Sequence, residues 1–135
     1  MIRPEKLTIK TQEALKTAQI EAEKRNHQQI DVEQLLFVLI DQEGGVILPI
    51  LKKLGANSEG IKKSLEEELK KAPQVTGSGI SSGQVYLTPR LIQTFEKAEK
   101  EADYLKDDYI STEHLLLAMS EDFGVIGKLL KSHGV

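Results

Sequence analysis

Apolar residues recur along this chain at helical spacing, and the pattern is written twice. Thr11, Leu15, Ala18, Ala22 and Arg25 fall on one face of a first segment. Leu91, Phe95, Ala98, Ala102 and Leu105 form the equivalent stripe of a later one. The spacing predicts helices over about 9–26 and 89–106. Thr8 and Thr88 stand at the N-cap of each, where a hydroxyl accepts from an otherwise unpaired backbone N–H. Pro89 follows at the first helical position, where a missing N–H costs least. A polar corner then leads to a second start signal in each copy. Asp31-Val32-Glu33-Gln34 fits a capping box, and Ser111-Thr112-Glu113-His114 holds the same place. The segments that follow, Leu35 to Ile40 and Leu115 to Met119, are apolar on nearly every side. Strand is the competing reading of such short runs, but the caps and the lack of alternation favour helices. A helix apolar all round must be surrounded by others, so these two are expected at the centre of their halves, with Leu35, Leu36, Leu39, Leu115, Leu116 and Met119 in the core.

Third helices are predicted over about 46–54 and 125–133, each stopped by a glycine, Gly55 or Gly134, suited to a left-handed C-cap. Pro49 falls near a first turn, where it is more easily accommodated than in a helix interior. A fourth helix runs over about 58–71 with Ile61, Leu65 and Leu69 on a narrow stripe. The repetition reaches single residues. A shift of eighty lays Leu7-Thr8 on Leu87-Thr88, Ile30 on Ile110 and Glu33 on Glu113. After the loss of one residue, Gly45-Val46-Ile47 falls on Gly124-Val125-Ile126. The second copy reaches Val135 where its own fourth helix is due, so the chain is expected to be cut from a longer protein.

Between the copies, Gly77 to Gly83 holds three Gly and three Ser, the composition of a flexible connection. The expected organisation is one domain over 1–135: repeat 1 at about 1–72, a Gly/Ser-rich linker at about 73–86 and repeat 2 at about 87–135. Two copies are too few for an open solenoid. The expected fold is all-α, a pseudo-twofold tandem repeat of a four-helix motif packed face to face, with a seam suited to a groove.

Composition narrows the chemistry. Trp is absent and three Phe supply the only phenyl rings, so the core must be aliphatic. No Cys occurs, which removes disulfides, thiolate metal sites and Cys nucleophiles and is compatible with a reducing cytosol. A net charge of −3 argues against general phosphate attraction, so no nucleic-acid partner is expected. The longest apolar run is far short of the ~20 residues that span a bilayer, so no membrane partner is expected either. Nothing in the N-terminal residues marks export. A cytoplasmic, monomeric domain is the expectation.

The sequence carries no recognisable catalytic motif. Gly124-Val125-Ile126-Gly127-Lys128-Leu129 has the wrong glycine spacing for a phosphate loop, and Leu replaces the hydroxyl residue. His27, His114 and His133 lack helix-spaced ligand partners, so no metal is expected. No catalytic residue is assigned, and the chain is not expected to be an enzyme. Glu33 and Glu113 occupy equivalent first turns. Favourable placement at a positive helix end is one reading, and a paired acidic contact for a partner's cationic groups is the other. Ile9, Ile20, Ile92, Tyr104 and Tyr109 lie off the core stripes. Grouped along the seam, they would form a shallow apolar patch for extended polypeptide.

Leu7-Thr8 before a helix, Ile30-Asp31-Val32-Glu33-Gln34-Leu35, Gln42-Glu43-Gly44-Gly45, Ala72-Pro73-Gln74-Val75 and Tyr109-Ile110-Ser111-Thr112-Glu113-His114-Leu115 together resemble the Clp amino-terminal domain of Clp/Hsp-hundred ATPases. The resemblance covers essentially the whole chain. Gln42-Glu43-Gly44-Gly45 and Pro73-Gln74-Val75-x-Gly77 look most like the ClpB, disaggregating type. The ClpC type tends to carry Gly-Thr-Glu-His in both copies, whereas here the first has Asp31-Val32-Glu33-Gln34 and only the second ends in Thr112-Glu113-His114.

The resemblance implies an eight-helix domain, of which this chain supplies seven, tethered to AAA+ modules that form a hexamer. It implies a stress-response chaperone module that engages unfolded or aggregated polypeptides through an apolar groove. Positions implicated in substrate handling match Thr8, Asp107 and Glu113, and Ile9, Ile92, Tyr104 and Tyr109 are the candidate apolar contacts. No cofactor is expected in this chain; ATP and Mg belong to the ATPase modules. The alternative is a docking domain for adaptor proteins or phosphoarginine, of the ClpC/ClpA protease-associated type, with Glu33 and Glu113 as an acidic pair.

Overall fold

A computed structural model describes residues 3–71, 86–121 and 124–135. A short 3-10 turn, Pro4–Lys6, leads into α1 (Ile9–Lys24), β1 (Gln29–Ile30), α2 (Val32–Asp41), α3 (Ile47–Lys53) and α4 (Ser58–Lys71). The second copy supplies β2 (Tyr86–Leu87), α5 (Pro89–Tyr104), α6 (Thr112–Ser120) and α7 (Val125–Ser132). The expected Gly/Ser linker lies, apart from Tyr86, outside the described residues. None of the described helices is long and apolar enough to cross a membrane.

The helices start where the caps place them. Thr8 Oγ1 accepts from Thr11 N at 3.2 Å, and Thr88 Oγ1 accepts from Leu91 N at 3.1 Å. Each such cap satisfies one of the N–H groups a helix start leaves unpaired. α1 and α5 stop two residues short of the predicted ends, for the same reason in both copies. Asn26 and Lys106 take left-handed backbone, φ 59° and 61°. The next amides, His27 N and Asp107 N, then donate back to Ala22 O and Ala102 O, both at 2.8 Å. This closes each helix in the manner of a Schellman turn. α3 and α7 end before Gly55 and Gly134, whose φ of 75° and 94° suit glycine.

α2 and α6 are central. Leu35, Leu36, Leu39, Leu115, Leu116 and Met119 are all buried, in one cluster that also takes in Ala14 and Ala18 of α1, Ile61 of α4, Phe95 of α5 and Ile126 of α7. The buried face of α1 is built from Thr11, Ala14, Ala18 and Ala22, so small side chains let α1 approach α2 closely. Leu15, expected on that stripe, is only partly buried. Leu105 is a plain correction: it is 55% exposed, because the left-handed Lys106 ends α5 before Leu105 can complete the stripe. α6 is also less enclosed than expected, since Leu117 is 40% exposed.

The all-helical expectation omitted how the halves are tied. The segment entering each first helix runs parallel to the corner of the opposite half. Leu7 bridges Ile110, and Leu87 of β2 pairs with Ile30 of β1, the same pairing with the copies exchanged. Thr8 N donates to Ile110 O and Thr88 N to Ile30 O, each at 3.1 Å. Each seam therefore contains residues of both copies, and neither half completes one alone.

Candidate functional site

The two seams are equivalent in backbone and different in side chains. At the first, Thr11 Oγ1 donates to Ile110 O at 3.0 Å and lies 2.8 Å from Thr8 Oγ1. The Thr11 proton is committed to Ile110, so the Thr8 hydroxyl donates to Thr11. Thr8 already accepts from Thr11 N, which leaves it only lone-pair capacity to offer a ligand.

Thr8 forms one side of a pocket of about 440 Å³ lined by Leu105, Asp107, Asp108, Tyr109, Ser111, Glu113, His114 and Leu117. The structure thus brings Thr8, Asp107, Tyr109 and Glu113 of the sequence candidates together. Ile9, Ile92 and Tyr104 are not among the lining residues. Ile9 and Tyr104 are 73% and 83% exposed. The periodicity does not point to Leu105 and Leu117 as pocket residues: it puts Leu105 on the apolar stripe of the second copy's first helix and Leu117 in the apolar run of α6. The sequence marks His114 as part of a helix-start signal and weighs it as a metal ligand, and neither reading points to the pocket. The one available signal for Leu105 is Asn26, a residue type that tolerates left-handed backbone, at the position matching Lys106; a helix closed there leaves position 105 past its end.

His114 organises the pocket floor. Ser111 N donates to His114 Nδ1 at 2.9 Å, so Nδ1 is an acceptor and the ring proton resides on Nε2. Nε2 then donates to Asp107 Oδ2 at 2.9 Å. Ser111 Oγ also lies 2.9 Å from Nδ1. The imidazole is buried while the Asp107 side chain is 52% exposed, so one end of this pair is fixed and the other faces the pocket. Glu113 is exposed and accepts from Thr112 Oγ1 at 3.1 Å. Asp107, Asp108 and Glu113 give the rim three carboxylates, and no Lys or Arg lines it. The arrangement offers acceptors at the rim and apolar walls from Leu105, Tyr109 and Leu117.

At the second seam the corresponding acids are already occupied. Arg90 Nη1 lies 2.7 Å from Glu33 Oε1 and 3.5 Å from Asp31 Oδ2. Thr88 Oγ1 donates to Asp31 Oδ1 at 2.9 Å. Glu33 therefore does not share a pocket with Glu113, and the expected acidic docking pair is split: one carboxylate holds an internal guanidinium, the other faces solvent. The pair at the corner is also turned inward. Asp31 N donates to Gln34 Oε1 at 2.9 Å, and Gln34 Nε2 approaches the Nδ1 of buried His27 at 3.4 Å. Burial, helped by the nearby Arg25 charge, pushes His27 below the usual imidazole range; the Leu69 backbone acts weakly the other way. Among the described residues no cluster of three or more His, Asp or Glu side chains is disposed to hold a metal ion.

The same architecture recurs in known proteins. The N-terminal domain of Hsp104 from Candida albicans superposes with a TM-score of 0.79 at 20% identity, over 96% of this chain and 82% of that one. The ClpV N-domain in complex with a VipB peptide gives a TM-score of 0.74 at 18% identity, over 96% of this chain and 79% of that one. In sequence, the chaperone protein ClpB of Bacillus anthracis is 44% identical over 123 residues, which is 91% of this chain and 14% of ClpB. The chain thus spans about one seventh of that relative's length. The model of the Clp repeat (R) N-terminal domain matches residues 6–133. With the twofold seam, the paired caps and this near-complete match, the chain belongs to the Clp repeat N-terminal domain family.

Proposed function

We propose that this single domain is the substrate-binding module of a ClpB-type disaggregase of the cytoplasm, and that it takes up extended segments of unfolded or aggregated polypeptide in the Thr8–Glu113 pocket. The observation that carries the reading is the pairing of apolar walls with a rim of three carboxylates that no Lys or Arg lines. An unfolded chain presents exposed apolar side chains next to unpaired backbone N–H groups. Leu105, Tyr109 and Leu117 bury the former, while Thr8, Asp107 and Glu113 accept from the latter. The pocket is small and open, so contacts are weak enough to release the client to downstream machinery. The resemblance to a ClpV N-domain that binds a peptide supports this use of the fold. ATP hydrolysis and hexamer formation belong to AAA+ modules of the kind ClpB carries outside the matched segment.

A second reading, docking of an adaptor or a phosphoarginine group, is favoured by one observation: a guanidinium already sits on Glu33 at the equivalent seam. Titration with reduced, carboxymethylated lysozyme, which stays unfolded in native buffer, separates the two. Under the first reading the NMR signals of Thr8, Tyr109, Glu113 and Leu117 move together, those of α4 stay still, and added salt changes little. Loss of the effect in moderate salt selects the second reading, because screening weakens exposed charge contacts. Shifts confined to α4 overturn the pocket assignment.

A further inference from the structure

We infer that His114 is a positioning residue of the client pocket, holding the Asp107 carboxylate at the rim in the orientation that binding requires. The inference rests on the pocket being the client site. It starts from the geometry of a side chain that is bonded at both ring nitrogens. His114 is 6% exposed, Nδ1 accepts from Ser111 N at 2.9 Å, and Nε2 donates to Asp107 Oδ2 at 2.9 Å. The backbone amide of Ser111 cannot turn away without undoing the start of α6, so it fixes the tautomer and the ring plane. The ring in turn commits one carboxylate oxygen of Asp107 inward and leaves the other directed to the pocket. Without that bond Asp107, in an exposed corner after the left-handed Lys106, rotates among its staggered positions.

The first half of the molecule supplies an internal control. There the same position is Gln34, whose Oε1 accepts from Asp31 N at 2.9 Å and whose Nε2 reaches His27 at 3.4 Å. A glutamine therefore performs both jobs on this backbone: one end closes the helix start, the other steadies the residue after the corner. At position 114 it can do the same toward Asp107. Alanine can do neither. Leucine keeps the bulk and loses both bonds.

The experiment measures the affinity of the wild-type domain and of His114→Gln, His114→Ala, Asp107→Ala and His114→Ala/Asp107→Ala for reduced, carboxymethylated lysozyme, with circular dichroism confirming that each is folded. His114→Ala is expected to weaken binding by about three- to tenfold, the range for losing the orientation of one charge-assisted contact. His114→Gln is expected to retain binding within about twofold of wild type on the same scale. In the Asp107→Ala background, removing His114 is expected to change affinity no further, since its effect runs through Asp107. Should His114→Ala prove unfolded, the comparison of His114→Gln with His114→Leu replaces it. Wild-type affinity in folded His114→Ala, or a His114→Gln domain as weak as His114→Ala, overturns the inference and leaves the pocket assignment standing. Failure of the wild-type domain to shift the Thr8 and Glu113 signals removes the pocket assignment, and this inference with it.

Discussion

His27 and Asp107 stand at the same point of the two repeats, each the first residue after a left-handed corner and each reached by the side chain seven positions on. In one half the pair is histidine held by glutamine and buried; in the other it is aspartate held by histidine and open to the pocket. The backbone of the two corners is the same, so the exchange of side chains alone converts a packed corner into an open, acidic pocket rim. Duplication permits this divergence: one seam is clasped by its own side chains while the other stays open.

The buried His27 makes stability depend on pH. Gln34 faces its Nδ1 with an N–H, and the Gln34 amide cannot flip without losing Asp31 N, so the ring is neutral in the folded state. Its pKa is lowered from 6.5, chiefly by burial. The unfolded chain therefore takes up the proton more readily than the native one. Stability from this group is full above pH 6.5 and is lost as pH falls from there toward the lowered native value. Urea melts across this range are expected to show a steeper loss for wild type than for His27→Gln. Parallel profiles for the two proteins would dismiss the histidine as the cause.

Core truncation checks the central-helix arrangement. Leu36 and Leu116 are 0% and 6% exposed and sit at equivalent positions of α2 and α6. Replacing either by Ala is expected to cost about 2–5 kcal/mol, from lost transfer energy and the cavity left behind. Losses below about 0.5 kcal/mol for both, typical of surface sites, would contradict their burial.

Lys106 holds a left-handed backbone, φ 61°, that a residue with a Cβ adopts at a cost. Asn26, at the corresponding corner, is a residue type that tolerates it. Lys106→Gly is therefore expected to raise stability by about 0.5–1 kcal/mol, relief of strain slightly exceeding the extra freedom of the unfolded chain. Lys106→Ala relieves nothing and serves as the control. A lower melting temperature for the glycine variant would show that the lysine side chain stabilises the corner by other contacts.

The fold was legible in the chain because its determinants are local. Thr8, Thr88 and Asp31 announce their helices within a turn, and the apolar runs of α2 and α6 admit only a central place. Much of the pocket was not legible, for the opposite reason. Leu105 reads as the next stripe residue until Lys106 is known to turn left-handed. Leu117 reads as core because α6 is apolar, although that part of α6 faces the seam. Thr8 meets Ile110 only across the duplicated halves, a pairing that periodicity does not encode. The repeat pointed to a seam between the halves; it gave no means of telling which of two equivalent seams is open.

Arg90 decides that question. Its guanidinium joins the start of α5 to Glu33 and Asp31 at the start of α2, filling the position that stays open beside Glu113. The Glu33 side chain is 15% exposed, so this contact is better shielded than an ordinary surface pair, while Arg90 and Asp31 at 32% and 31% remain partly screened. Arg90→Ala leaves Glu33 without this partner in a partly dry setting, and a loss of about 1–2 kcal/mol is expected, between the values for exposed and buried charged hydrogen bonds. High salt is expected to narrow the gap between wild type and variant, since part of the contact is electrostatic and accessible. The Thr8–Glu113 pocket shares no lining residue with this clasp, so affinity for unfolded polypeptide is expected to stay within about twofold once measured on the folded fraction. Arg90→Lys keeps a charge but not the planar fork that spans two carboxylates, and is expected to recover only part of the stability. A variant that keeps full stability would show that the clasp contributes nothing to closing the second seam. A variant that stays stable yet loses client binding would place the working site at Glu33 instead.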